Sequence, residues 1–563
     1  MRGKIAMINN VDGAMLKKLL ISGAMHLERN KALVDSLNVF PVPDGDTGTN
    51  MSMTMMAAVK EIEQLNDITL ENVAEALSKG SLRGARGNSG VILSQLFRGF
   101  AKGLKSYQQV NSVQLAAALK KGVDTAYKAV MKPVEGTMLT VARLSAERAV
   151  YFSQEEGDIA ELLRQTVEAA KDALDRTPEM LDVLKEAGVV DAGGKGLVCI
   201  LEGIVMAIDT DVTYDVEEVR AETGVDIGKQ ADTADFDKLE GIKFMYCTEF
   251  IITNNKNDIS AEDVNAFKEK IGTLGDSVLV VGDPDMLKVH IHTNHPGMVL
   301  EEAIKLGVLC SIDIDNMQEQ HDKMQEQQGI SAEQPEDDQP ETQEIQPYGV
   351  VAVAMGEGMI TILKDLGCDK VIEGGQTMNP STEDILQAIE EVNSKTVFVL
   401  PNNGNIILAA QQATHLTDKD VRVIPTKSIP QGITALVAMS PDLDIEDNEQ
   451  RAKSAIQEIS TGQVTYAIRD SSYNGTKIKK GDILGLSNGE VMVVGRDVED
   501  VAVQLLESLV KNDGEIISVY YGQDVTQEEA DALSDRIQQR FEDCDVEVYF
   551  GGQPLYYYIF SIE

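Results

Sequence analysis

The chain lacks an excess of positive charge. Among its 563 residues, 92 acidic side chains outnumber 50 basic ones, and the formal net charge is −42. Such a charge repels nucleic acid and anionic membrane surfaces. We therefore expect no nucleic-acid partner, and we interpret the acidity as an aid to solubility or as a surface for a basic protein partner.

Cysteines and long apolar runs are also scarce. The five cysteines are scattered and form no CxxC pair, which argues against a disulfide framework. No run of about 18 apolar residues occurs, and residues 1–10 lack the apolar core of a signal peptide. The sequence therefore predicts no transmembrane segment, and we expect a cytoplasmic protein.

A P-loop is missing as well. The nearest approach is GGKG at residues 193–196, which has Gly196 where Ser or Thr should follow the lysine and Val189 where the first glycine should be. If a nucleotide binds, another arrangement must hold its phosphates.

The most informative segment present is residues 38–51, which read NVFPVPDGDTGTNM. Pro41 and Pro43 predict a stiff, extended arm. Asp44 and Asp46 follow at a spacing that lets both carboxylates reach one hard cation, and Mg²⁺ typically takes one or two carboxylates together with substrate phosphates. A solvated Asx turn is the alternative.

A second glycine-rich segment, GSLRGARGNSG at residues 80–90, precedes an apolar run. Backbone N–H groups at the start of a helix, with Ser89 beside them, form a natural anion site. An ordinary helix cap would have the same composition.

The pattern of apolar residues divides the chain into five regions. Residues 1–210 have helical periodicity, 211–240 form a connecting segment, and 241–317 combine strand and helix signals in a small α+β domain. Residues 318–346 have the composition of a flexible acidic linker. Strands alternate with helices in 347–563, which predicts an α/β domain.

A possible zinc site lies in the α+β region. His290 and His292 alternate along a predicted strand, and Cys247 lies on another. One cysteine and two histidines are a ligand set that zinc uses with an open fourth position. A polar strand face or a pair of phosphate-binding histidines would explain the pattern equally, and either histidine could act catalytically near a transferred phosphoryl group.

Four segments carry a family resemblance. Residues 38–51, GNSG at 87–90, GTML at 136–139 and DAGG at 191–194 occur in the order seen in DhaL-type domains of the dihydroxyacetone kinase superfamily. The variant at 38–51 resembles the fatty acid kinase A family, the ATP-binding subunits of bacterial fatty acid kinases.

This resemblance implies a multidomain protein with an all-α DhaL-like helical barrel, a middle α+β domain in which a zinc site is expected, and a DegV-like α/β C-terminal domain. It implies Mg²⁺ bound by Asp44 and Asp46, and we assign catalysis to these two residues and their ions. Asn38 is nearest to the position of the family's third aspartate, and Asp35 is farther off. For Met138 and Leu139 the alternative is plain helix core. The residues expected to bind ATP are Thr47, Gly48, Thr49, Asn50, Ser89, Gly90, Thr137, Met138, Leu139, Asp191 and Gly193.

The implied reaction is ATP-dependent phosphorylation of a fatty acid carboxylate that a separate FakB-type (DegV-like) carrier protein presents. A kinase of a free small polyol or ketone and a nucleotide-sensing scaffold without turnover are the alternatives. Two loops after predicted strands, residues 373–382 and 401–405, lie where α/β domains usually form crevices. We assign the C-terminal domain to partner binding or self-association, and we expect a homodimer.

Overall fold

The fold divides into two units, residues 1–225 with 344–563, and residues 226–343. The computed structural model describes residues 7–38, 45–130, 132–154, 157–209, 246–253, 267–268, 270–271, 274–283, 286–316, 346–375, 378–473, 476–511 and 515–563. Asp44, residues 318–345 of the predicted linker and the connecting segment at 211–240 lie outside these residues.

The N-terminal region is helical, as predicted. Its helices are α1 (Gly13–Asp35), α2 (Thr47–Glu63), α3 (Leu70–Arg83), α4 (Gly87–Leu104), α5 (Ser112–Ala129), α6 (Met138–Ser153), α7 (Ile159–Asp175), α8 (Thr177–Met180), α9 (Asp182–Ala187) and α10 (Ala192–Asp209). Along α7, for example, Ile159, Leu163, Val167 and Ala170 are buried at helical spacing.

These helices close into a ring. Each helix from α1 to α7 packs against the next, α7 contacts α10, and α10 returns to α1. The contact between α1 and α10 is close, because a Cβ on Gly203 would lie 2.6 Å from the carbonyl oxygen of Ser22. The Ser22 hydroxyl donates to the carbonyl of Gly203 at 2.7 Å. The predicted helical barrel is therefore confirmed.

The middle region is a separate α+β unit, also as predicted. Its antiparallel sheet has the order β2-β3-β1-β4, and one helix follows β3. Buried Phe250, Ile252, Val289 and Ile291 form its core with residues of that helix. The elements are β1 (Tyr246–Thr253), β2 (Gly275–Asp283), β3 (Met286–Thr293), α11 (Pro296–Ala303) and β4 (Val308–Asn316).

The C-terminal region begins with a parallel sheet in the order β6-β5-β7-β8. The buried strands β5 and β7 are continuous apolar runs, as expected for strands covered on both faces. The elements are β5 (Gly349–Ala354), α12 (Glu357–Asp365), β6 (Lys370–Glu373), α13 (Thr382–Glu391), β7 (Thr396–Leu400), α14 (Ile407–Ala413), β8 (Asp420–Val423), α15 (Ile429–Ala438) and α16 (Ile445–Glu458).

A second, mixed sheet completes this region, in the order β13-β12-β9-β16-β14-β15. One buried cluster includes Phe398 of the parallel sheet and Leu484 and Ile559 of the mixed sheet, so the two sheets share a core. The elements are β9 (Ser460–Tyr466), β10 (Ser471–Tyr473), β11 (Thr476–Ile478), β12 (Ile483–Ser487), β13 (Glu490–Gly495), α17 (Val498–Leu509), β14 (Ile516–Tyr521), α18 (Gln527–Arg540), β15 (Asp545–Phe550) and β16 (Tyr558–Ile562).

The helical ring and the C-terminal domain pack against each other through α4. Ala85 and Val91 belong to the same buried apolar cluster as Val351 and Val399 of the parallel sheet. Beside this cluster, the buried amides of Gln95 and Gln412 are hydrogen-bonded at 2.7 Å. Among the described residues, no helix is both long enough and apolar enough to cross a lipid bilayer.

Candidate functional site

The N-terminus of α2 is capped by a residue of the preceding helix. Asp35 Oδ1 accepts hydrogen bonds from the backbone N–H groups of Gly48 at 2.6 Å and Thr49 at 3.1 Å, and Oδ2 accepts from the Thr49 hydroxyl at 2.8 Å. Asp46 holds the N-cap position, yet its side chain caps no N–H of the helix. Asp35 satisfies those donors in place of Asp46, and Asp46 lines the cavity.

Asn38 joins the same arrangement from the end of α1. Its Oδ1 accepts from the Thr47 hydroxyl at 2.7 Å, and its Nδ2 donates to the backbone carbonyl of Asp35 at 3.0 Å. Asn38 and Asp46 both lie on the cavity wall, whereas Asp35 does not. Asp35 therefore acts as a helix cap here.

The second glycine-rich segment forms the start of α4. Gly87 has a φ of +57°, and a Cβ there would lie 2.5 Å from Nδ2 of Asn50, so the close turn requires glycine. Asn88 and Ser89, in the first turn of the helix, line the cavity next to Asn50. An anion at this position would meet the positive end of the helix dipole.

The third segment is a turn held by an ion-pair network. Glu135 Oε2 accepts from Thr140 and from Arg143, both at 2.8 Å, and Tyr127 donates to Oε1 at 3.1 Å. Burial alone would raise the pKa of the Glu135 carboxyl, but these hydrogen bonds together lower it. The network stabilises the turn from which Thr137 projects onto the cavity wall.

The fourth segment brings a desolvated carboxyl to the wall. Asp191 Oδ2 accepts from the backbone N–H of Gly194 at 2.6 Å, at the start of α10. The side chain keeps some exposure to the cavity, but burial by the surrounding protein raises its pKa to about 6. Hydrogen bonds from backbone N–H groups, including that of Met138, oppose this rise without cancelling it. Near neutral pH this carboxyl can therefore exchange a proton.

The four segments meet around one cavity of about 490 Å³. That volume is within the range of small-molecule sites, roughly 300 to 1,000 Å³. Each segment immediately precedes or begins a helix, so the N-termini of α2, α4, α6 and α10 converge on the cavity. The predicted residues that line it are Asn38, Asp46, Thr47, Asn50, Ser89, Thr137, Met138, Asp191 and Gly193.

Other predicted residues lie behind the wall or outside the described part of the chain. Gly48, Thr49, Gly90 and Leu139 are not among the lining residues, and Leu139 is buried in the helical core. Asp44 falls outside the described residues. Its expected part in a cation site stays a prediction.

The C-terminal domain supplies wall residues that were not predicted from the sequence. These are Asn405, Gln463, Leu486, Gly489 and Tyr556. Asn405 belongs to a loop that was predicted to form a crevice, and its Oδ1 accepts from Asn88 at 3.2 Å. Gly489 follows Asn488 at the tip of a hairpin, an Asn-Gly pair between apolar strands that is a typical hairpin sequence. Gln463 and Tyr556 carry no comparable local signal.

The wall contains oxygen donors of the kind that Mg²⁺ binds. The carboxylate of Asp46 and the amide of Asn38 both line the cavity. Behind the wall, Nδ2 of the buried Asn379 donates to Asp46, and the Oδ1 of Asn379 has no hydrogen-bond partner. Among the described residues, no group of three or more His, Cys, Asp and Glu side chains could hold a metal ion. The donors present fit a hard cation whose shell is completed by ligand oxygens and water.

In the middle unit, the backbone places the possible zinc ligands on one face. Cys247 is directly opposite His292 in the register of β1 and β3, and His290 is two residues from His292. The buried residues Thr248, Val289 and Ile291 alternate with them and belong to the other face. The three predicted ligand positions are therefore neighbours on one face of the paired strands β1 and β3.

Replacing Asp35 by alanine should remove the cap of α2 and allow the Asp46 carboxylate to turn from the cavity toward the uncapped N–H groups. We expect the free energy of unfolding to fall by about 1 to 2 kcal/mol. The sequence predicts Mg²⁺-ATP as the ligand of this cavity, and the affinity for that ligand should fall about tenfold or more, as is typical when an outer-shell partner is lost. Urea unfolding and calorimetric titration measure the two effects.

The matched control is Asp12→Ala. Asp12 caps α1 by accepting from the backbone N–H of Met15 at 2.9 Å and does not line the cavity. This substitution should lower the free energy of unfolding by a similar amount but leave the affinity for the nucleotide unchanged. Equal affinities in the two variants would contradict the positioning role of Asp35.

The raised pKa of Asp191 predicts a pH-dependent stability. In the folded protein, the Asp191 carboxyl stays protonated up to about pH 6. In the unfolded chain the same carboxyl has its ordinary pKa of 3.8 and loses its proton at a lower pH. The contribution of Asp191 to stability is therefore complete below about pH 4 and is lost as the pH rises through about 6.

Asp191→Asn keeps the acceptor for Gly194 and removes this titration. Relative to the wild type, its free energy of unfolding should rise by about 1 to 3 kcal/mol between pH 4 and 6.5. Groups such as His26, whose pKa is lowered by burial, titrate in both proteins and cancel in the difference. Parallel urea-unfolding curves across that range would refute the assignment.

Comparison with known families gives matches to all three regions. The DAK2 domain matches residues 41–206, the FakA-like middle domain of fatty acid kinases matches 243–324, and the FakA-like C-terminal domain matches 349–563. Protein YloV of Bacillus subtilis is 45% identical over 557 residues, covering 99% of this chain and 100% of that protein. An uncharacterized protein of Staphylococcus haemolyticus is 41% identical with the same coverage.

Solved structures match part of the chain. A DegV family protein of Corynebacterium glutamicum has 13% identity and a TM-score of 0.31, covering 38% of this chain and 97% of that one. The Streptococcus pneumoniae fatty acid kinase B3 protein, loaded with linoleic acid, has 12% identity and a TM-score of 0.27, covering 38% and 99%. The family matches and the full-length relatives show that the chain belongs to the FakA-like family of fatty acid kinase proteins.

Proposed function

We propose that the chain is an ATP-dependent kinase that phosphorylates the carboxylate of a fatty acid presented by a FakB-type carrier protein. The product is an acyl phosphate, a precursor suited to phospholipid synthesis. The observation that carries this proposal is the meeting of residues from four separated segments around one cavity. These residues are Asn38, Asp46, Thr47, Asn50, Asn88, Ser89, Thr137, Met138, Asp191 and Gly193. Membership of a kinase family makes a nucleotide the expected ligand of that cavity.

A carboxylate acceptor simplifies the chemistry that the site must perform. A fatty acid has a pKa of about 4 to 5 and is already an anion near neutral pH, so no strong general base is needed. One carboxylate oxygen forms a bond to the γ-phosphorus, the bond from that phosphorus to the β–γ bridging oxygen breaks, and ADP leaves with the electron pair. The obstacle is repulsion between the anionic acceptor and the phosphates.

The cavity wall offers two ways to reduce that repulsion. The N-termini of α2, α4, α6 and α10 direct backbone N–H groups and positive dipole ends toward it. Mg²⁺, when bound, would neutralise phosphate charge and orient the transferred group. The residues that would hold it are Asp46 and Asn38, with Asp44 as a predicted further ligand. These residues position the reactants and donate no proton.

The polar character of the wall favours an acceptor that arrives on a partner. Most lining residues are polar or glycine, and the larger apolar side chains are Ile92, Met138 and Leu486. Such a wall suits a nucleotide better than a long acyl chain, which gains free energy only from apolar surroundings. A carrier could keep the chain buried and expose the carboxylate. Self-association into a homodimer stays a prediction.

The decisive experiment measures ATP consumption with purified carrier, oleate and Mg²⁺. We expect turnover that requires all three, and Asp46→Asn should lower it at least 100-fold while the protein remains folded. The Asp12→Ala variant described above is the control for a cap lost elsewhere. Turnover with dihydroxyacetone but not with carrier-bound oleate would favour a polyol or ketone kinase, and ATP binding without consumption would favour a nucleotide-sensing scaffold.

We also propose a zinc site in the middle unit, formed by Cys247, His290 and His292. It is supported by the register that sets Cys247 opposite His292 and by the shared face of all three positions. Asp276 and Asp315 occupy the same cross-strand row and are candidates for a further ligand. Action of either histidine at the phosphoryl group stays a prediction.

Elemental analysis of the purified chain tests the zinc proposal. We expect about one zinc ion per chain, and the variant Cys247→Ser should reduce that stoichiometry and lower the melting temperature. The matched control Cys368→Ser alters a cysteine that is buried in the C-terminal domain and should leave the zinc content unchanged. Equal zinc in all three proteins, or none in the wild type, would refute the site.

A further inference from the structure

A side chain of the C-terminal domain contacts the acidic residue of the cavity. Asn379 Nδ2 donates a short hydrogen bond of 2.5 Å to Oδ2 of Asp46. The Asn379 side chain is only 1% exposed, and its Oδ1 is buried without a hydrogen-bond partner. Such an orphan acceptor is costly to bury, and it lies beside a carboxylate that is itself proposed to bind a cation.

The loop that carries Asn379 is fixed to the helical domain at Asn379 itself and at the residues that follow it. Arg86 donates to the backbone carbonyl of Asn379 at 2.7 Å and forms an ion pair with Asp384 at 3.3 Å. Three residues beyond Asn379, the backbone N–H of Thr382 donates to the carbonyl of Ala85 at 3.0 Å. These bonds hold the loop against the start of α4. The Asn379 side chain is therefore already in place beside Asp46, and no conformational entropy has to be lost in ordering it when a cation binds.

The position of this loop in the fold is also informative. It follows β6 in the parallel sheet, at the edge where α/β domains commonly form ligand crevices. Asn405, in the loop after β7, reaches the same region and accepts from Asn88. At this edge, the C-terminal domain therefore presents amide side chains to the nucleotide-binding segments of the helical domain.

We propose that Asn379 is a positioning residue for the divalent cation of the kinase site. By donating to Oδ2 of Asp46, it fixes the orientation of the carboxylate at the cavity wall. The C-terminal domain thus forms part of the metal site. This inference rests on the proposed function, because it concerns the cation that accompanies ATP.

The role differs from that of Asp35. Asp35 satisfies the N–H groups of α2 and so keeps Asp46 out of a capping interaction. Asn379 acts directly on the carboxylate from another domain. Any movement of the C-terminal domain at this loop would therefore alter cation affinity, which links the domain assigned to partner binding with the reaction centre.

The test uses the full-length chain, Mn²⁺ as the probe and a non-hydrolysable ATP analogue, with free Mn²⁺ measured by electron paramagnetic resonance. Asn379→Ala should weaken Mn²⁺ binding about 10- to 100-fold, the usual effect of losing an outer-shell partner. Asn379→Leu keeps the side-chain volume, guards against loss through a cavity, and should weaken binding to the same extent.

The matched control is Gln412→Ala, which removes a buried amide from the same interface between domains. Gln412 bonds to Gln95 and does not line the cavity. Its Mn²⁺ affinity should stay within about twofold of the wild type. A second readout is turnover as a function of Mg²⁺: the Asn379 variants should need more Mg²⁺ for half-maximal rate and should recover at saturation, which a merely misfolded site would not do.

The outcomes separate the two proposals. If the wild type binds no Mn²⁺ with the nucleotide analogue, the proposed function fails. If the wild type binds Mn²⁺ and both Asn379 variants bind it equally well or more tightly, the positioning role fails while the kinase proposal stands. Weakening by Gln412→Ala to the same extent would likewise overturn the specific role of Asn379, because general loosening of the interface would then explain the loss.

Discussion

The site depends on which acidic side chain caps α2. The first N–H groups of any helix need acceptors, and an aspartate at the N-cap position ordinarily supplies one. In this chain, Asp35 reaches those N–H groups from the end of α1, although Asp46 holds the N-cap position. The cap is thereby satisfied without Asp46. One helix cap therefore both ties the end of α1 to the start of α2 and leaves a carboxylate on the cavity wall.

The orientation of the helix N-termini explains how a strongly acidic chain could bind an anion. With a net charge of −42, the protein as a whole repels phosphates and fatty acids. Local fields must oppose this repulsion, and no lysine or arginine lines the described cavity wall. The N-termini of α2, α4, α6 and α10 supply partial positive charges that do not depend on side chains. The closed ring of helices fixes these ends toward one point, which connects the barrel architecture with the proposed chemistry.

Local patterns predicted much of this structure, because they report which residues are buried. Helical periodicity identified the N-terminal domain, and continuous apolar runs identified β5 and β7. The strand β4 was overlooked although Ile312 and Ile314 alternate with Asp313 and Asp315. Contacts between distant segments were beyond local patterns: no spacing rule pairs Asn379 with Asp46, 333 residues apart. The sequence placed Asn38 nearest to the third-ligand position and Asp35 farther off. It did not predict Asp35 as a helix cap, because spacing along the chain does not show that α1 ends beside the start of α2.

The composition of the domain interface bears on how an acceptor could reach the cavity. Ala85 and Val91 bury apolar surface against the parallel sheet, whereas the bonds closer to the cavity are polar, including those of Arg86 and Asn88. Water can replace polar bonds at a rim at low net cost, but it cannot replace apolar burial. The bond between Asn88 and Asn405 on the cavity wall can therefore open while the apolar contacts and the bonds of Arg86 keep the domains together. In the proposed reaction, such an opening would admit a carboxylate held by a carrier, and closure would exclude water that competes as phosphoryl acceptor.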